Sequence, residues 1–201
     1  MAFIPMLLAN TLSPAVAASP DSDPLDEIVV TARRLEERAW DLPLAVDVAT
    51  TSTLRDSGVA TLGGTAALWP GFSFDPEFGA SGGAATLRGQ SQPTASSDNV
   101  AVFVDGVHQA NRGSINLELL DVERVELIRG PQSAMFGHSA FAGAVQVVSR
   151  APTRLPSHGY VLEGGSDGWL GVQAFVSGPL GSSGWLGRAA VSHRRADGTL
   201  E

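Results

Sequence analysis

The chain has 201 residues, of which 43% are hydrophobic, enough for one core or for one domain and a fragment of another. Its formal net charge is −8 and all 13 basic residues are arginine, so it offers no broad cationic footprint for nucleic acid. It contains no cysteine, which excludes disulfides and thiolate metal sites and agrees with an exported protein.

The N-terminus, MAFIPMLLANTLSPAVAASP, is mildly apolar and ends in small residues, with Ala15-Val16-Ala17 forming an A-x-A cleavage pattern. Residues 1–18 therefore read as a signal peptide, although the first basic residue is Arg33 and the usual basic opening is missing. No apolar run reaches 18 residues, so a membrane-spanning helix is not expected. Residues 19–25 form a Pro/Asp/Ser spacer with the composition of a disordered leader.

The stretch DEIVVTARR follows, with Ile28, Val29, Val30 and Thr31 as a compact β-branched run. It has the makings of a strand, but the spacer before it and the charged connector 35–41 after it supply no partner. From Leu42 the texture changes. LPLAVDVAT predicts a short strand; TSTLRDSG predicts a helix capped by Thr51 or Ser52 and stopped at Gly58. TLGGTAALWPGFSF predicts a second helix ending before Pro70-Gly71.

A glycine-rich stretch, GASGGAATLRGQ, holds a predicted strand over 84–88 that breaks at Gly89. In NVAVFVDGVHQ, Val100, Val102 and Val104 alternate with Ala101, Phe103 and Asp105, and Asp105-Gly106 predicts a hairpin. INLELLDVERVELIRGPQ predicts a short helix leading into a strand over 122–129, and GAVQVVSR a further strand. Small strands mixed with short helices predict an α+β domain.

After Pro152 the candidates GYVLEGG, WLGVQAFVSGPL and GWLGRAAVSHRRADG are amphipathic strands. Val172, Ala174 and Val176 share one face, with Gln173 and Ser177 on the other. Trp185, Ala189 and Val191 oppose Arg188, Ser192 and Arg194. Such alternation fits either the lipid face of an outer-membrane barrel or a soluble antiparallel sheet.

Catalytic signatures are weak. His108, His138, His158 and His193 have no zinc-binding spacing, and Asp105, His138 and Ser139 lack a G-x-S-x-G elbow. GASGGAATLRG has no following Lys-Ser/Thr and does not match a phosphate loop. No enzyme activity, metal or cofactor is expected.

Five pieces in order, DEIVVTARR, LRDSGVATLGGTAALWPGFSF, LRGQ, VAVFVDGV and VERVELIRGPQSAMFGHSAFAGAVQVVSRAP, make the chain resemble the N-terminal part of a TonB-dependent outer-membrane receptor. The last piece is the most specific, and the resemblance runs from Asp26 to the end. It implies a signal peptide (1–18), a flexible leader (19–41), a plug domain (42–152) and the first strands of a β-barrel (153–201).

By that resemblance Asp26, Glu27, Ile28, Val29, Val30, Thr31 and Ala32 form the TonB box, captured by the partner protein TonB as an added strand. Connector 35–41, spanning ~25 Å if extended, would let the box leave the domain surface. Pairing of residues 28–31 within the domain itself is the alternative.

Arg88 and Arg129 match the family's plug arginines, which meet glutamates on the barrel wall, while Phe136 and Phe141 are expected to pack in a local core. The resemblance further implies an outer-membrane location with the box facing the periplasm, contact with lipid, and uptake of a scarce ligand such as a ferric siderophore. Loops 74–85, 90–98 and 108–114 are the candidate ligand contacts. Three strands cannot close a barrel, so a plug-only periplasmic binding module, or a truncated product without function, is the rival expectation.

Overall fold

The computed structural model describes residues 29–30, 37–38, 44–75, 83–90, 99–110, 115–137, 139–165, 168–181 and 184–195. The leader contributes two short strands, β1 (Val29–Val30) and β2 (Glu37–Arg38), paired antiparallel. Then come β3 (Ala45–Thr50), α1 (Thr51–Asp56), β4 (Phe72–Asp75), β5 (Ala84–Leu87), β6 (Val100–Val104) and β7 (Val107–His108). β8 (Val122–Arg129), α2 (Ser133–Phe136) and β9 (Gly143–Ser149) complete an α+β domain. Three longer strands follow: β10 (Ser157–Gly164), β11 (Leu170–Pro179) and β12 (Leu186–Arg195).

The first domain is organised on a five-stranded sheet of order β3-β8-β9-β6-β7. β6 and β9 run parallel, and the other pairings are antiparallel. A pleated strand sends successive side chains to opposite faces, and here both faces are covered. On one, Val125, Leu127, Val145, Val147, Val100 and Val102 pack with Leu54, Leu62, Trp69, Phe72, Leu87 and Ile115. On the other, Ile128, Ala144, Ala101 and Phe103 pack with Phe136, Ala140 and the leader's Val30.

Burial on both sides gives β9 a near-continuous apolar run in place of alternation, while β8 carries Arg124 and Glu126 within its buried stretch. The sheet's fully buried Glu126 is compensated by Arg124, whose Nε donates to its Oε1 at 2.8 Å. Gly143 has to be glycine, because a Cβ there would lie 2.4 Å from the Ile128 carbonyl oxygen and 2.7 Å from Leu87 Cδ2.

Several local expectations change. The cap of α1 is Thr50, one residue earlier than predicted: its Oγ1 accepts from Thr53 N at 3.3 Å, while Thr51 Oγ1 donates to the carbonyls of Val122 and Glu123. The predicted second helix shrinks to a 3-10 turn, Gly63–Ala67, opened by two helix-weakening glycines. The predicted helix before β8 is instead an irregular segment, held by a bridge from Glu118 to Thr61 and by Leu119 N donating to the Ala60 carbonyl. Phe136 is buried, but Phe141 stands 57% exposed, outside the local core expected for it.

The last three strands form a separate antiparallel sheet, β10-β11-β12. Its register aligns Tyr160, Ala174 and Val191 in one row and Ser157, Ser177 and Arg188 in another. One face exposes Tyr160, Leu162, Val176 and Val191; the opposite face carries Glu163, Gln173, Phe175, Arg188, Ser192 and Arg194. That second face is turned toward the α+β domain, to which it is tied by the ion pairs described next.

Candidate functional site: the leader socket and the seam between domain and wall

β1 and β2 pair Val29 with Arg38 and Val30 with Glu37. The partner strand thus comes from the charged connector, not from the main sheet. Val30 is completely buried, in the cluster built by Ala101, Phe103, Ile128, Phe136, Ala140 and Ala144. Phe103 and Phe136 form its aromatic floor, with ring centroids 4.9 Å apart. Burying the Val30 side chain contributes about 1.5–3 kcal/mol to holding the strand. Asp26, Glu27, Ile28, Thr31 and Ala32 lie outside the described residues.

Arg88 sits not in β5 but in the turn after it, with φ +52° and an exposed side chain. Its backbone N–H donates to the Gly71 carbonyl at 2.6 Å. Arg129 ends β8, pairs through Nε with Asp47 of β3 and donates from Nη1 to the Pro70 carbonyl at 2.9 Å. The fold brings the two arginines together around Gly71: a Cβ there would meet Arg88 Cγ at 3.9 Å and Arg129 Nη1 at 4.0 Å. Of the predicted ligand loops, residues 76–82, 91–98 and 111–114 lie outside the described residues.

Sequence reasoning missed the seam. Asp121, immediately before β8, accepts both Arg188 Nε (2.5 Å) and Nη2 (2.6 Å) in a forked pair. The side chains of that pair are only 9% and 17% exposed. Arg188 also lies over the Phe175 ring, its guanidinium carbon 4.4 Å from the centroid. Glu118 pairs with Arg194 and accepts from Ser192 Oγ at 3.1 Å. Thr153 N, on the connection, donates to Ser177 Oγ at 2.8 Å. The signal for this seam is the inward arginine row of β12, which alternation exposes but whose partners it cannot name.

Beside the seam lies a cavity of about 180 Å³ between α1, the start of β8 and the wall, with Thr51, Arg55, Arg150, Glu163, Gln173 and Arg194 among its lining.

A buried sheet bearing a docked leader, joined through inward charges to strands with an exposed apolar face, is the arrangement of a plug against a barrel wall. A family model described as the TonB-dependent Receptor Plug Domain matches residues 38–144. The chain belongs to this family.

Its curated relatives include a pesticin receptor from Yersinia pestis, 32% identical over 98% of this chain and 29% of the relative. Another is a vitamin B12 transporter, BtuB, from Photobacterium profundum, 28% identical over 95% of this chain and 31% of the relative. The chain therefore spans less than a third of the relatives' length.

Among solved structures, the ferric yersiniabactin uptake receptor FyuA from Yersinia pestis is 29% identical with a TM-score of 0.62, over 76% of this chain and 24% of that one. The pyoverdine outer membrane receptor FpvA from Pseudomonas aeruginosa, 22% identical with a TM-score of 0.71 over 85% of this chain and 25% of that one, shares the fold. The plug, the receptor family and the outer-membrane location are thereby established, and β10–β12 are the antiparallel strands that follow the plug.

Proposed function

We propose that this chain forms the plug and first wall strands of an energy-coupled uptake receptor whose leader, 26–32, is the TonB box. The observation that carries this reading is the docking of Val30: among the described residues, the strand Val29–Val30 is held at the plug surface by the buried Val30 side chain and a two-residue ladder. Such a segment can be peeled away and offered as a strand to a foreign sheet edge. Arg88 and Arg129, gathered around Gly71, are the plug arginines that would face wall glutamates, Arg129 sharing its charge with Asp47 in the meantime. The layout of leader, plug and wall at 19–41, 42–152 and 153–201 follows from the same reading.

The cargo is a ferric siderophore, a reading supported by the ferric yersiniabactin in the name of the FyuA structure; the vitamin B12 transporters among the relatives make vitamin B12 the second candidate. The family consists of receptors and transporters, and the chain is read as one of them and not as an enzyme.

The test is capture of the protein by the periplasmic domain of TonB. Val29→Pro removes a backbone donor and should abolish capture. Capture that survived the substitution would rule out strand addition at this segment.

A further inference from the structure

The geometry points to residues 118–121 as an ionic seat: the fixed attachment of the plug to the wall, with the leader socket as the releasable end of the same strand. The inference rests on the reading of the leader as the segment that is pulled. Apart from the proposed contacts of Arg88 and Arg129 with wall glutamates, this seam has the opposite polarity, with plug carboxylates Glu118 and Asp121 received by wall cations Arg188 and Arg194.

Three observations support a fixed role. The Asp121–Arg188 pair is forked and mostly withdrawn from water, and Phe175 backs the guanidinium, so solvent screens it little. Asp121 holds a left-handed backbone (φ +53°), which orients its carboxylate while its carbonyl accepts from Arg150 N at 3.1 Å. Finally, the segment is tied to the plug from several sides: Thr51 Oγ1 donates to the carbonyls of Val122 and Glu123, and Leu119 N donates to that of Ala60.

β8 then runs from this seat to Ile128, in the socket that holds Val30. One end of the strand is bolted to the wall, and the other is covered by the leader. Extraction of the leader would therefore uncover the Ile128 end while the plug stays seated at Asp121.

A double-mutant cycle tests the seat in the full chain folded in detergent micelles, read by hydrogen exchange of peptides covering 118–123. Asp121→Asn keeps the left-handed backbone and removes the charge; Arg188→Gln removes the cation. Each single change should speed exchange about tenfold, and the double should be no faster than the worse single. Arg188→Lys keeps the charge but loses the fork, and should show most of the loss.

Val30→Asp, which expels the leader from an apolar socket, should speed exchange at 29–38 and leave 118–123 protected. Additive single effects would overturn the seat, and loss of protection at 118–123 on Val30→Asp would overturn its fixed role. Failure of TonB capture alongside an intact cycle would overturn the leader reading instead.

Discussion

The plug sheet and the wall sheet solve opposite problems with the same backbone. In the plug, β5, β6 and the middle of β8 are buried residue after residue, because helix, turns and leader cover both faces. In the wall, β10 alternates strictly between exposed and half-buried residues, because only one face meets the plug. The lesson lies in what each exposed face is made of. Tyr160, Leu162, Val176 and Val191 would be a liability on a soluble sheet, and are what a lipid-facing wall requires.

The contrast can be broken most severely at the plug's centre. Leu127→Ala empties a fully buried site and should cost the plug about 2–5 kcal/mol, seen as a lower denaturation midpoint at unchanged slope. On the wall, Val191→Arg places a charge mid-strand on the outward face and should cost about 2–4 kcal/mol of insertion if that face meets lipid. Refolding yield into micelles measures it, and tolerance of arginine there would mark the face as watery. Smallest is Thr50→Ala, which removes the cap of α1 and should lower plug stability by about 1 kcal/mol without touching the wall.

Much of this was legible in the chain. The strand over 122–129 and the Asp105-Gly106 hairpin were read correctly, because interspersed β-branched residues and a turn dipeptide act locally. The inward row of Arg188, Ser192 and Arg194 was visible too, from period-two alternation alone. The helix expected before β8 was not real: its local pattern lost to a tertiary bridge between Glu118 and Thr61. The cap was displaced by one residue for a similar reason, since Thr51 spends its hydroxyl on β8 rather than on its own helix.

The candidate site divides along the same line. The sequence by itself determined the family and the strand character of Val29 and Val30, because motif order and residue type carry those. Only the tertiary structure decided that Val30 is docked against Phe103 and Phe136, that Arg129 answers to Asp47, and that Asp121 and Glu118 receive the arginines of β12. Each of those contacts joins residues dozens of positions apart. No local propensity encodes such a pairing, and only the packed sheet brings its members within reach.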